Sequence, residues 1–521
     1  MDDPIPASER SRQEQVFRFV AEATTHGGAS ATRIDTHGAV VFLAGDRALK
    51  IKRAVRFPFL DYSTLARRKA ACEQELEVNR RFAPQIYRRV VPITRAASGG
   101  FEIGGNGEPV EWAVEMQRFD ESRTIDRLAR EQPLAPALAD AIADAIEASH
   151  RSAPKADTAT WVASLLPILA DNTTSFIAGG FPPDRVAALD RASRFDFERI
   201  RPLLEQRGAQ GFVRWCHGDL HLANIVLIDG KPVLFDAIEF DPVFASVDLL
   251  YDLAFPLMDL IQHGRCDAAA GVLNRYLAVG DEAHAEGLRA LPLLMSLRAA
   301  VRAKVMLSRP ALDVATERSN RQIAMSYFAL AERLIAPPRS RLIAVGGLSG
   351  TGKSVLARGL SGRVPPLPGA VVLRSDLIRK RLFGVADTER LPQAGYSRDA
   401  TADVYRILGE RAAHILAQGC SVIVDAVFSR QEERAAIEAV ARDQGVEISG
   451  LYLVADVKTL LDRVAHRIGD ASDATPEIVR QQQAYEQGDI GWTTIDASGS
   501  PDETLIRALA ALRLVDQVCS T

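Results

Sequence analysis

Two short stretches carry residue types whose spacing can do chemistry. The first, Gly347-Leu348-Ser349-Gly350-Thr351-Gly352-Lys353-Ser354, matches G-x-x-x-x-G-K-[ST]. Its glycines let backbone N–H groups turn inward around phosphate oxygens, its lysine reaches the β- and γ-phosphates, and its last hydroxyl can bind Mg2+. Gly347, Ser349, Gly350, Thr351, Gly352, Lys353 and Ser354 are therefore candidate nucleotide-binding residues, and Ser354 is a candidate metal ligand as well. The second stretch is Cys216-His217-Gly218-Asp219-Leu220-His221-Leu222-Ala223-Asn224. In phosphoryl-transfer catalytic loops an Asp takes the acceptor's hydroxyl proton and an Asn five residues later holds magnesium. Asp219 and Asn224 have that spacing. Asp236, twelve residues further, ends the run Val233-Leu234-Phe235 and suits a second metal contact.

Other acids and bases fall into place around the phosphate loop. Val371-Val372-Leu373 reads as a strand followed by Arg374-Ser375-Asp376. An acid at the carboxyl end of a strand in a doubly wound sheet lies at the ligand crevice. Asp376 is thus a candidate base for an acceptor hydroxyl, with a helix N-cap as the structural alternative. Asp425 closes Val422-Ile423-Val424 and is the candidate for holding magnesium's water shell. Arg463 and Arg467 stand four apart on one helix face, ahead of the polar loop Gly469-Asp470-Ala471-Ser472-Asp473. Arginines on a lid would close over a transferring phosphoryl group; a solvated helix face is the alternative.

These residues need elements to position them. The segment Ala336-Pro337-Pro338-Arg339-Ser340 follows a helical pattern over about Thr316 to Ile335, and two prolines cannot continue that helix. It is the expected linker (336–340) between a domain over 1–335 and a domain over 341–521. In the first, Ala39–Leu43 and Arg47–Lys52 flank a turn and predict a hairpin. A charged helix over about Ser63 to Phe82 and a strand around Trp112 to Met116 follow. From about Ala135 to Ile335 the pattern is mostly helical, interrupted by the loop-and-strand block at 216–242. After residue 340, strand and helix patterns alternate, which predicts a parallel sheet covered by helices.

Composition sets the frame. The chain has 521 residues, room for two or three domains. Sixty-three Lys and Arg against 67 Asp and Glu give a net charge of −4. That disfavours bulk nucleic-acid binding, although a local basic groove remains open. The five cysteines are scattered without a C-x-x-C pair, so they suggest neither a disulfide framework nor a zinc site. His217 and His221 are four apart but lack a third ligand. The polar N-terminus and the absence of a long apolar run lead us to expect a cytoplasmic protein with no membrane span. The cluster Arg298, Arg302 and Lys304 reads either as a groove for an anionic substrate or as a solvated stripe. No motif bears on oligomeric state.

The order GGLSGTGKS, RSDLIRKRLFG, GYSRDATADVYRIL, VIVDAVFS and RVAHRIGDASDA resembles small P-loop kinases. These include gluconate-kinase-like enzymes, zeta-toxin-like and chloramphenicol phosphotransferases and the kinase domain of polynucleotide kinases. HGDLHLANIV followed by LFDAIEFDP resembles the aminoglycoside-phosphotransferase-like kinases. That resemblance implies a protein-kinase-like α+β fold with a small β-rich lobe and a large helical lobe. By position, Asp219 would be the base, and Asn224 and Asp236 the metal ligands. Lys50 of Ala48-Leu49-Lys50 would contact the α/β-phosphates, with Lys52 on the same strand face. Its helix partner would be Glu73, Glu75 or Glu77; helical spacing lets Glu73 and Glu77 share a face. Glu115 and Met116 would form the hinge where adenine docks. No full G-x-G-x-x-G precedes Lys50.

The two-module order resembles bacterial bifunctional aminoglycoside-phosphotransferase/ATP-binding proteins. It implies ATP and Mg2+ as cofactors and hydroxyl-bearing small molecules as acceptors. Two further readings stay open: one active kinase with a nucleotide-binding regulatory partner, and a polynucleotide 5′-kinase.

Overall fold

The computed structural model describes residues 7–57, 60–97, 99–309, 313–466, 472–483 and 489–514. The chain divides into two compact units. One comprises Met1–Gln132, Ala148–Trp161 and Gly208–Asp252; the other comprises Pro133–Glu147, Val162–Arg207 and Leu253–Thr521.

The first unit is built on a six-stranded antiparallel sheet. Its order is Ala31–Asp35, Ala39–Ala44, Arg47–Lys52, Pro109–Gln117, Tyr87–Arg95 and Phe101–Ile103. The expected hairpin is present, with Ala39 opposite Lys52 and Ala44 opposite Arg47. Alternation along Arg47–Lys52 divides its side chains between two environments. Leu49 and Ile51 join Val16, Phe17 and Val20 of the helix Ala7–Ala21 in one apolar cluster. Lys50 and Lys52 project to the opposite face, toward the helix Leu65–Arg80, whose Thr64 N-cap accepts from the Arg67 N–H. The catalytic-loop block brings two small antiparallel pairs, Val213–Trp215 with Ser246–Asp248 and Ile225–Ile228 with Lys231–Leu234.

The second unit combines helices with a parallel sheet. Leu291–Leu307 and Val314–Ile335 pack together, and Phe176, Phe181 and Phe328 form an aromatic cluster with centroids 5.1–5.4 Å apart. The sheet has five strands, all parallel, in the order Val371–Arg374, Val422–Asp425, Arg341–Gly347, Glu447–Val454, Thr493–Asp496. The last strand carries too short and exposed a pattern to have stood out in the sequence. Ile343, Val345, Ile423, Leu451 and Leu453 bury one sheet face against Leu356, Ala357 and Leu360 of the helix Lys353–Ser361.

The Arg298 cluster is neither of the things its sequence suggested. Arg298 is buried over the Phe255 ring, Arg302 lies over Tyr327, and Lys304 pairs with Asp171 at 2.5 Å. Among the described residues Cys72, Cys216 and Cys420 are in the thiol form. Among the described residues no helix is long and apolar enough to cross a membrane.

Candidate active sites

In the first unit the lysine face of Arg47–Lys52 meets one buried carboxylate. Glu75, 0% exposed, holds Lys50 Nζ at 2.7 Å with one oxygen and Lys52 Nζ at 2.6 Å with the other. Lys50 also reaches Asp236 Oδ1 at 2.6 Å, and Lys52 pairs with Glu239. Burial alone would lower both ammonium pKa values. Asp236 and Glu75 outweigh it at Lys50, and Glu239 and Glu75 at Lys52, so both stay charged well above the usual lysine range. Burial likewise works to raise Glu75, and the two lysines overcome it.

The expected partners Glu73 and Glu77 are thereby corrected. Glu73 is 57% exposed and pairs with Lys69, and Glu77 is exposed as well. The buried stripe Arg68, Ala71, Cys72, Glu75, Val78 and Asn79 faces the sheet instead. That stripe was the available signal, since Glu75 has Ala71, Cys72 and Val78 at helical spacing and Glu73 and Glu77 do not.

Asp236 sits in the left-handed region at φ 61°, uncommon for a side chain larger than glycine. Its surroundings hold it there. Asp236 N–H donates to the Tyr87 hydroxyl at 3.2 Å, and Ala237 N–H donates to Asn79 Oδ1 at 2.7 Å. Asn224 Nδ2 donates to the Asp219 carbonyl at 2.9 Å. The Asp219 carboxylate is left 42% exposed, available to solvent or a ligand. Gly218 (φ 81°) turns the loop, and its N–H donates to Asp252 Oδ1 at 2.9 Å, while the other Asp252 oxygen accepts from His217 N–H at 3.3 Å. Burial pushes the His217 imidazole pKa down, and its Nε2 donates to the Phe235 carbonyl at 2.9 Å. His217 thus braces the loop and takes no part in the described groups able to hold a metal. Tyr87, Asn79 and Glu239 went unnoticed in the sequence because each acts on a segment distant from itself, whereas Asp252 stands in an apolar helix whose mixed-in acids already pointed to buried Asp hydrogen bonds.

Glu115 and Met116 do not form an open hinge. Both lie inside the strand Pro109–Gln117, paired to Leu49 and Ala48 on one side and to Arg89 and Tyr87 on the other. The Glu115 carboxylate is taken up by Arg47 at 2.8 Å and Arg89 at 2.7 Å. The chain leaves the sheet after Gln117, where a cavity of about 540 Å³ is lined by Asp46, Arg118, Phe119 and Asp120 among others.

In the second unit the phosphate loop joins the central strand to the helix Lys353–Ser361. Gly350 and Gly352 have φ near 90°, and a Cβ on Gly350 would come within 2.8 Å of the Leu460 carbonyl. Thr351 Oγ1 turns back to the Leu348 carbonyl at 2.8 Å, so a ligand would meet the Thr351 backbone. Lys353 Nζ donates to the same carbonyl at 3.0 Å. Ser349 N–H donates to Gln482 Oε1 at 2.9 Å, a contact from the helix Pro476–Gln483 that no motif signalled. Ser354 Oγ donates to Asp425 Oδ2 at 2.5 Å, and Arg374 Nε lies 3.5 Å from the same oxygen. Burial pushes the Asp425 carboxyl up, against Lys353 and Arg374.

Asp376 occupies the first turn of the helix Ser375–Leu382, half-buried, near enough to Asp425 and Tyr396 to act electrostatically on both. The same helix anchors the segment beyond it. Lys380, 0% exposed, donates to the Glu389 carbonyl at 2.5 Å and to Asp473 at 3.1 Å. Asp473 also accepts from Leu391 N–H at 2.9 Å and the Tyr396 hydroxyl at 2.8 Å. Arg463 is not a lid residue. Its guanidinium donates to the Ala497 carbonyl at 2.8 Å and the Gly499 carbonyl at 2.7 Å, which ties down the turn after Thr493–Asp496. Arg467 lies outside the described residues.

Both donor sets suit a hard cation: Asn224 and Asp236 in one site, and the adjacent oxygens of Ser354 and Asp425 in the other. Residues 37–291 match the family model described as "Phosphotransferase enzyme family", and residues 342–487 match one described as "AAA domain". An uncharacterized protein of Mycobacterium tuberculosis is 33% identical over 491 residues, 91% of this chain and 94% of that protein. This chain belongs to that protein's family. It is an ATP-dependent phosphotransferase with an N-terminal kinase-like domain and a C-terminal P-loop kinase domain built on a parallel sheet.

Among solved structures, a choline/ethanolamine kinase family protein from Mesorhizobium loti is 14% identical, covering 62% of this chain and 99% of that one (TM-score 0.37). A gluconokinase from Sinorhizobium meliloti is 21% identical, covering 33% and 91% (TM-score 0.25). An APS kinase of Mycobacterium tuberculosis is 22% identical, covering 34% and 99% (TM-score 0.27). At such low TM-scores these likenesses carry no argument about activity.

Proposed function

We propose that the chain is bifunctional, with two sites that each transfer the γ-phosphoryl group of ATP to a hydroxyl of a small molecule. What supports this most is that each site is assembled from distant segments with its charged set intact. Lys50, Glu75 and Asp236 come together in one, and Lys353, Ser354 and Asp425 in the other.

In the first site Asp219 accepts the proton of the acceptor hydroxyl while that oxygen bonds to the γ-phosphorus and the bond to the β-phosphate oxygen breaks, releasing ADP. Lys50 holds the α/β-phosphates, kept in place by Glu75; Asn224 and Asp236 hold Mg2+. In the second site the loop amides and Lys353 hold the phosphates, Ser354 and Asp425 hold Mg2+, and Asp376 takes the proton. The metal, when bound, neutralises charge that builds on the phosphate oxygens.

The test uses γ-labelled ATP and a fractionated small-molecule extract with wild type, Asp219→Asn and Lys353→Ala. Label should reach two products, each lost separately, with about 10²–10⁴-fold less transfer when the base is removed. A variant that loses no product makes its module a nucleotide binder and ends the bifunctional reading.

A further inference from the structure

The strand Val371–Arg374 is the edge of the parallel sheet. It pairs with Val422–Asp425 on one side and, among the described residues, has no strand on the other. An open edge presents unpaired N–H and C=O groups. Here the edge is met by a side chain from the phosphotransferase-family segment, on the helix Cys266–Val279. Asn274 Oδ1 accepts from Val372 N–H at 2.7 Å, and Asn274 Nδ2 donates to the Ala370 carbonyl at 3.0 Å. A carboxamide carries the same donor and acceptor pair as a peptide group, so Asn274 does for this edge what one residue of a sixth strand would do. Its Nδ2 also donates to the Ala270 carbonyl at 2.9 Å, which fixes the side chain on its own helix.

The surfaces around Asn274 fit closely. A Cβ on Gly362 would fall 2.6 Å from the Asp267 main chain, and one on Gly369 would fall 2.9 Å from Ala270 Cβ. Ion pairs ring the contact: Arg363 with Asp267 at 3.2 Å, Arg358 with Asp140 at 3.2 Å, and Arg411 with Glu282. Arg381 donates to the Ala278 carbonyl at 2.7 Å. All these residues belong to one compact unit.

We infer that the helix Cys266–Val279 of the phosphotransferase-family segment is the fixed docking partner of the P-loop sheet, and that Asn274 is a positioning residue for the acceptor side of the P-loop site. The clamped amide of Val372 lies two residues before Arg374 and four before Asp376, so the register of this strand end sets where Asp376 stands. A misplacement of about 1 Å at a reacting group can cost about 10²-fold in rate. The catalytic half of this inference rests on the reading of Asp376 as proton acceptor; the docking half does not.

The test uses the full chain with Asp219→Asn, so that the first site is silent. Into it go Asn274→Leu, which removes both bonds, and Asn274→Asp, which keeps the acceptor for Val372 N–H. Hydrogen–deuterium exchange is followed in the peptide spanning 370–376, and ATP hydrolysis, with water as acceptor, gives kcat and KM for MgATP. In Asn274→Leu exchange should rise about tenfold or more. Its kcat should fall about tenfold or more with KM held within about twofold, because the phosphate loop sits on another strand. Asn274→Asp should fall between Asn274→Leu and the parent.

Unchanged exchange in Asn274→Leu overturns the docking. Raised exchange with unchanged kcat overturns the positioning role. Should Asn274→Leu fail to fold, Arg363→Glu replaces it; exchange should rise there and return toward the parent when Asp267→Arg is added, and no rise overturns the docking. Asp376→Asn is run in parallel. If it hydrolyses ATP normally, the base reading fails, and exchange alone decides the docking.

Discussion

Substituting Glu75 by Gln tests the first site at its most connected point. One carboxylate, fully buried, serves two ammonium groups at 2.7 and 2.6 Å. Breaking a buried pair by removing one partner costs about 3–5 kcal/mol. Lys50 keeps Asp236 and Lys52 keeps Glu239, so the lower end, about 3 kcal/mol, is expected. Spent on the placement of Lys50 it amounts to about a 10²-fold loss of kcat/KM. Glu73→Gln, at a side chain 57% exposed, should stay within about 0.5 kcal/mol of wild type. The assay is transfer of labelled phosphate to the acceptor whose product disappears in Asp219→Asn, with thermal unfolding of each variant alongside. Glu75→Gln indistinguishable from Glu73→Gln would refute the claim that Glu75 organises this site.

Other consequences follow from the same buried charges. The pKa values of Lys50 and Lys52 are raised in the folded chain. The stability they contribute is fully present below about pH 10.4, the unfolded lysine value, and is lost as pH rises through their folded values. Alkaline unfolding followed by circular dichroism should therefore be steeper in wild type than in Glu75→Gln. At Asp425 burial raises the carboxyl, so ligand-free folding is weakened as pH rises through the acid range. Asp425→Asn should melt higher than wild type without ligand at neutral pH and should lose Mg2+-dependent nucleotide binding, read by fluorescence titration. Asp473→Asn would leave the ammonium of Lys380 without its buried carboxylate. A loss of about 3 kcal/mol and faster proteolysis between residues 387 and 396 are expected, and unchanged cleavage there would refute the anchoring role.

How far the sequence reached can be traced residue by residue. The alternation after residue 340 was readable because each element there is a short run with its own period. Arg341–Gly347, Lys353–Ser361, Arg398–Ala417 and Glu447–Val454 realise that alternation of strand and helix. The phosphate loop and the Asp219-to-Asn224 spacing were readable for a related reason: the chemistry is done by neighbours in the chain, so the motif is local. Glu115 and Met116 were misplaced because a strand's inner pairing on both sides is a property of the sheet.

What the sequence determined by itself is therefore the local part: two phosphate-handling motifs, the elements that carry them, and the residue types available to each. The tertiary structure decided which charges meet. Glu75 rather than Glu73 or Glu77 faces Lys50 because packing of Ala71, Cys72 and Val78 sets the rotation of their helix. Arg463 serves a turn more than thirty residues away, with its bonds to 497 and 499 separated by 34 and 36 positions. Asn274 closes a sheet edge 96 and 98 residues along the chain. Helical period constrains which residues share a face, but the partner of that face comes from burial of apolar surface between distant segments, and that is settled only when the chain folds.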